Sequence, residues 1–295
     1  MRIAIAGSSG LIGTELVRSL RADGHDVLRL VRRPAQAESE VSWNPATGEI
    51  DLARLAGVEA FINLAGVGVG DKRWTSRYKQ EILSSRVDST HTIAQAATTV
   101  GAKTLINASA IGWYGDTASR TVDETAPAGS GFLCDVVVAW ENAAEVARLA
   151  GIRVVNPRTG LVVSSHGGAW AKITPLFKLG LGGRMGNGKQ YWSFISMRDE
   201  IAALSFLLTH PTISGPVNLT APQPATNAEI TKAMSIVFKR PALFHVPAAA
   251  LKIALGEFSQ EVLGSSRVIP NVLEKNGFVF SDPDALSAMK TLIAT

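Results

Sequence analysis

The most constraining feature of the chain is its beginning. Residues 2–6, RIAIA, are a short apolar run that ends in Gly7-Ser8-Ser9-Gly10-Leu11-Ile12-Gly13, and Thr14 to Ala22 (TELVRSLRA) then repeat apolar residues at helical spacing. Strand, glycine turn and helix in that order form the phosphate-binding unit of a dinucleotide fold. Gly7 permits the tight turn, Gly10 lets the backbone approach a pyrophosphate, and Gly13 allows close helix packing. The helix N-terminus offers free N–H groups and partial positive charge to the phosphates.

The pattern recurs along the first half. Asp26 to Val31, Ala60 to Leu64, Lys103 to Ala108 and Ile152 to Val155 read as strands; Ser76 to Val100 and Val136 to Ala150 read as helices. This alternation predicts an α/β fold, a doubly wound parallel Rossmann sheet with helices on both faces. After about Asn156 the alternation stops. A loop-like GGRMGNGKQ at 182–190 and prolines at 211, 216, 222, 224, 241 and 247 point to a smaller, mostly helical C-terminal substrate lobe. Within it, Thr226 and Glu229 form a capping box for a helix through about Phe238. The expected division is a dinucleotide-binding domain over 1–155, to which 197–221 return (an apolar helix, then a strand from Pro216 to Ala221), and a lobe over 156–196 and 222–295.

Composition excludes other classes. Of 295 residues, 46% are hydrophobic and 18% charged, with 27 Gly and 13 Pro spread through the length. This is the profile of a globular protein, not of a disordered or fibrous one. No uninterrupted apolar stretch of about 18 residues and no signal sequence are visible, so no membrane association is expected. The single cysteine, Cys134, cannot form an internal disulfide, and no Cys/His cluster has metal-ligand spacing. No metal and a reducing, cytoplasmic location are the expectations. The net charge of +4 comes from scattered basic residues, and without a basic stripe no nucleic-acid partner is expected. The oligomeric state is not legible.

The end of the second strand bears on cofactor choice. An NAD-preferring fold places a carboxylate there to hold the adenosine ribose. Here the strand ends Leu30-Val31-Arg32-Arg33, and a guanidinium suits a 2′-phosphate, so NADP is the expected cofactor. A solvated basic turn is the plainer alternative.

The motifs GSSGLIG, Asn63-Leu64-Ala65-Gly66, Ser109-Ala110-Ile111-Gly112-Trp113-Tyr114-Gly115 and Arg158-Thr159-Gly160 together resemble the extended short-chain dehydrogenase/reductases. Trp43-Asn44-Pro45 with Gly48-Glu49-Ile50-Asp51, Arg73-Trp74 with Ser85-Arg86, Trp140-Glu141, and RVIPNVLEKNGFVF at 267–280 narrow this. They are similar to an atypical epimerase-family branch, sugar-nucleotide epimerase-like and sometimes labelled cell-division-inhibitor-like. The resemblance implies that Gly10, Leu11 and Ile12 face the pyrophosphate, Val31 and Arg32 the adenosine ribose, and Leu64 and Ala65 the dinucleotide. It places Arg86, and less directly Glu81, against the cofactor, with Val162 near the nicotinamide. Surface ion pairing for Glu81 and Arg86, and simple burial for Val162, are the alternatives. Arg184 and Gln190, around the Gly186–Gln190 loop, become substrate-side candidates; the loop also reads as a plain hairpin.

One departure from the superfamily matters. Its reaction uses a Tyr as acid/base, a Lys four residues later that lowers the Tyr pKa, and a Ser or Thr that orients the substrate. Aligning Glu145 with the relatives' glutamate four residues after the Lys puts Val137 at the Tyr position and Glu141 at the Lys position, and aligning Tyr114-Gly115 with their Tyr-Gly puts Ala110 at the Ser/Thr position, as the resemblance implies. Ser109 and Tyr114, just past the fourth strand, are the substitute catalytic candidates, with packing roles as the alternative. The resulting expectation is an NADP-binding oxidoreductase or epimerase-like enzyme acting on a small polar substrate, nucleotide-linked or not, without the Tyr/Lys pair. The rival is a non-catalytic NADP-binding sensor or partner-binding protein.

Overall fold

A computed structural model describes residues 1–293. The strands that build its main sheet are β1 (Arg2–Ala6), β2 (Asp26–Val31), β3 (Glu40–Asn44), β4 (Glu49–Ile50), β5 (Ala60–Asn63), β6 (Thr104–Asn107), β7 (Ser109–Ala110), β8 (Arg153–Thr159) and β9 (Gly215–Leu219). Their order is β9-β8-β6-β5-β1-β2-β3-β4, with β7 also alongside β8. Every pairing is parallel except the β3–β4 hairpin at the edge. A parallel sheet must be covered on both faces, and alternate residues of each strand serve the two layers. On one side Ile3 and Ile5 pack with Leu16 and Leu20 of α1 (Leu11–Ala22) and with Leu204 and Leu207 of a helix over Met197–Thr209. On the other, Ala4, Phe61 and Leu105 pack with Ile93 and Ala97 of α2 (Ser76–Val100).

The chain starts in the middle of the sheet, builds outward through β2 to β4, then crosses to the other side of β1 to form β5. That reversal opens a crevice at the carboxyl ends of β1 and β5, where open α/β folds bind ligands. The Rossmann sheet expected from the alternation is present. The β3–β4 hairpin adds strands that the alternation does not announce: it is short, and only Glu40, Val41 and Trp43 of β3 are buried. The helix expected over 136–150 starts earlier, as α3 (Phe132–Asn142), and breaks before α4 (Glu145–Leu149). Strand β8 continues past Val155 through Pro157; proline lacks the N–H that the ladder needs, and the neighbouring strand is interrupted at Ala108, between β6 and β7.

Beyond β8 helices and short strands mix, and outside the main sheet there are four two-stranded pairings among the described residues: 161–163 with 194–196, 183–185 with 244–246, 191–192 with 225–226, and 121–122 with 267–268. The capping box of Thr226 and Glu229 starts the helix Asn227–Phe238, which packs Ile230 and Met234 against Trp170, Phe194 and Met289. Among the described residues no helix is long and apolar enough to cross a membrane, and no three His, Cys, Asp or Glu side chains are placed to hold a metal.

Candidate functional site

The turn after β1 is built by glycine for three reasons. Gly7 has φ +71°, and a Cβ there would lie 2.5 Å from the Leu64 carbonyl oxygen. Gly13 packs the first turn of α1 onto the loop itself: a Cβ would lie 2.1 Å from the Gly7 carbonyl oxygen. Gly10 is different, since a Cβ there would meet only that same oxygen, at 3.2 Å. It leaves a bare backbone at the start of α1, whose first N–H groups have no side-chain cap. Arg29 on β2 donates to Ser8 Oγ at 3.2 Å and steadies the turn.

The two arginines that end β2 have different fates. Arg33 donates to both carboxylate oxygens of buried Glu40, at 2.8 and 2.7 Å. These bonds, with the Gln36 N–H, hold the Glu40 carboxyl at about 2, well below the usual range. Arg32 is exposed and has no ion pair or side-chain hydrogen bond among the described residues. Val31 beside it is half-buried.

Across the crevice, the loop after β5 rests on a buried polar knot. Asn63 donates to Thr90 Oγ1 and Asn107 Oδ1 at 3.0 and 2.9 Å, and its own Oδ1 accepts the Ala65 N–H, so Leu64 and Ala65 are held against the Gly7 turn. Arg86 lies beneath the next two residues. It donates to the carbonyls of Val67 and Ile82, both at 3.0 Å, and stacks over Trp140 at 5.0 Å. It has no carboxylate partner among the described residues, and burial pulls its pKa down to about 10. Glu81 is not brought to this place: it is exposed and reaches Lys72 at 3.9 Å. Val162 is half-buried and packs against the sheet core.

Ser109 and Tyr114 are sealed inside the protein. Arg158 makes a buried bidentate pair with Glu141, at 2.8 and 2.9 Å, and Ser109 Oγ donates to the same carboxylate at 2.6 Å. Tyr114 donates to Asn218 Oδ1 at 2.7 Å and accepts from Arg158 at 3.1 Å, while Trp113 stacks on the guanidinium at 3.8 Å. Burial pushes the phenol up to about 12. Both hydroxyls are satisfied by protein partners and face no open space, so the structure does not present these two catalytic candidates to a substrate.

Past this network a cleft of about 530 Å³ opens between the segments after β7, the start of α3 and the C-terminal helices. Gln190 lines it, donating to the Met185 carbonyl. Arg184, the other substrate-side candidate, is exposed on the 183–185 strand and does not line the cleft.

Comparison with known proteins decides the family. Residues 3–219 match the NAD dependent epimerase/dehydratase family, and 246–292 match a domain of unknown function, DUF1731. The chain belongs to the NAD dependent epimerase/dehydratase family. It is 48% identical over 279 residues to the epimerase family protein Mb2239 of Mycobacterium bovis, covering 94% of this chain and 93% of that one. It is 32% identical to mouse epimerase family protein SDR39U1, with both chains covered fully. The structure of human SDR39U1 (isoform 2) with NADPH superposes with a TM-score of 0.90 at 29% identity over all of both chains. MoeE5 in complex with UDP-glucuronic acid and NAD shares the fold, with a TM-score of 0.77 at 18% identity.

Within this epimerase/dehydratase framework, the functional surprise is Glu141. The resemblance implies only a carboxylate in place of a Lys at this position; the structure shows it committed to Arg158. The signal was available, because Cys134, Val137 and Glu141 fall on one buried stripe of α3. A charge on such a stripe requires a buried partner.

Proposed function

We propose that this protein binds NADP(H) in the crevice between β1 and β5 and uses it as an oxidoreductase or epimerase-like enzyme on a small-molecule substrate held in the adjoining cleft. The observation that carries this reading is the division of labour between Arg32 and Arg33. Arg33 is locked to Glu40, while Arg32 is left free at the strand end where an adenosine 2′-phosphate would lie. The bare Gly10 backbone and the uncapped start of α1 fit a pyrophosphate. Leu64 and Ala65 wall the crevice opposite, the unpaired cation of Arg86 would attract the cofactor's charged middle, and Val162 suits the apolar side of a nicotinamide. The human SDR39U1 structure with NADPH supports the same reading.

NADPH when bound supplies a hydride. The protein supplies orientation and a shielded pocket. It does not supply the superfamily's Tyr/Lys pair, and Ser109 and Tyr114 hold the scaffold instead of moving protons: a phenol at about 12, donating to Asn218, stays neutral at physiological pH. One observation favours a second reading, a non-catalytic NADP-binding sensor or partner-binding protein: Ala110, Val137 and the sequestered Glu141 fill all three catalytic positions.

The test is thermal stabilisation by matched concentrations of NADPH and NADH. NADPH should give the larger shift, and Arg32→Ala should reduce its advantage by about ten- to a hundred-fold in affinity, the value of a charge-assisted contact. Equal shifts in the parent protein sink the assignment. Substrate-dependent NADPH consumption then separates enzyme from sensor.

A further inference from the structure

Two segments of the C-terminal half carry only one sign of charge. Residues 168–192 hold four Lys or Arg and no Asp or Glu, and residues 230–256 hold the same. The fold joins them, pairing Gly183 with Phe244 and Arg184 with His245, and a Cβ at Gly183 would overlap the Phe244 carbonyl. Just before that pairing the helix Gly168–Lys178 is closed by Gly180, whose φ of +74° lets the Leu181 N–H reach back to the Leu176 carbonyl at 2.8 Å. A helix end of this kind sets Leu181 beside Leu176, and Leu179 lies three residues further along the same face. Phe177 turns inward and is buried, while the three leucines stay exposed. Leu243 and Phe244, at the start of the adjoining strand, are exposed as well, Leu243 by 87%.

Five large apolar side chains gathered at one tip exceed the scattered exposure usual on a protein surface. Cations accompany them: Lys178 adjoins Leu179, Arg184 follows Leu181 on its strand, and Lys239 and Arg240 precede Leu243. All four are exposed, and none has an ion-pair partner among the described residues. Such a surface calls for a partner that is anionic and offers an apolar phase beneath its charge. The five side chains protrude and none lines the 530 Å³ cleft. A peptide helix needs a groove, whereas a lipid surface accepts separate protruding side chains. We propose that this tip binds the surface of an anionic phospholipid bilayer, with the leucines and Phe244 entering the headgroup boundary and the four cations meeting lipid phosphates. The expectation of no membrane association rested on the lack of a long apolar run, which bears on spanning helices; this surface is assembled from separate segments. It is independent of the cofactor reading.

The experiment is co-sedimentation of the full chain with vesicles of phosphatidylcholine alone or mixed with phosphatidylglycerol, at about 0.1 M salt. The protein should sediment with the mixed vesicles and not with phosphatidylcholine alone. Lys239→Gln with Arg240→Gln should weaken this binding about twenty-fold, at roughly five-fold per cation near the surface. Leu179→Ser with Leu243→Ser should weaken it about ten-fold or more. All four positions are exposed, so thermal unfolding should match the parent in both variants, which separates lost binding from lost folding. Three results overturn the proposal: no sedimentation with the mixed vesicles, sedimentation that the leucine pair leaves unchanged, or capture of polyglutamate in place of vesicles, which would assign the tip to an acidic protein.

Discussion

Three glycines within seven residues, Gly7, Gly10 and Gly13, serve unlike physical needs, and this makes their substitutions distinguishable. At Gly13 an added methyl would overlap the Gly7 carbonyl, a backbone atom that cannot rotate away, so helix and turn must separate. Gly13→Ala should therefore cost about 1–3 kcal/mol of stability, as overpacked sites do. At Gly10 the backbone is extended (φ −77°, ψ 177°), and the new side chain would meet protein only at 3.2 Å, so Gly10→Val should fold. Its branched side chain would instead occupy the space a pyrophosphate needs. Urea denaturation and NADPH titration of the two variants should thus give opposite patterns, stability lost in one and binding lost in the other. A Gly10→Val protein that binds NADPH like the parent would show that the glycine serves the turn alone.

At the level of elements, α3 is held to the sheet by a charge pair rather than by apolar packing alone. Glu141 reaches from the helix to Arg158 on β8, Ser109 on β7 joins the same carboxylate, and Tyr114 carries the connection to Asn218 on β9. Removing one member leaves a buried charge unpaired, at a cost of about 3–5 kcal/mol, whereas replacing both with apolar residues can be neutral. Glu141→Met and Arg158→Met should each lower the unfolding free energy by that amount, and the double variant should recover much of it. Single variants that each cost under about 1 kcal/mol would show that the pair is not coupled to folding. The alternation of strands and helices was legible because each element carries its own periodicity. This pairing was not, because its members lie on different elements and meet only when the sheet has formed. The β3–β4 hairpin escaped for a local reason: its strands are too short to show a period, and Glu40 disguises a buried position whose partner, Arg33, lies before the strand.

For the molecule as a whole, the cofactor half of the site was readable because the turn after β1, the end of β2 and the loop after β5 are contiguous motifs. The substrate cleft was not, since it is assembled from segments around 74, 112–134, 186–190 and 248–266. The least legible feature was a single glutamate whose protonation should couple the whole fold to pH. Glu200 lies in the first turn of the helix over 197–209, fully buried, with Oε1 accepting from Thr159 at 3.0 Å and Oε2 without a partner. Desolvation pushes its carboxyl up to about 8 from the usual 4.5, against the weaker effect of the Thr159 bond. The native state therefore binds the proton more tightly than the unfolded chain. Its contribution to stability is complete below about pH 4.5, declines as pH rises toward 8, and is gone above. Glu40, held at about 2 by Arg33 and Gln36, acts in the opposite sense, its contribution being lost only as pH falls from 4.5 toward 2, so the two windows do not overlap. Glu200→Gln keeps an acceptor for Thr159 and removes the charge. Relative to the parent it should raise Tm at about pH 8.5 by several degrees, at roughly 2–4 °C per kcal/mol, with the gain shrinking toward about pH 5. Parallel Tm curves for the two proteins across that range would mean that Glu200 gains no proton on folding.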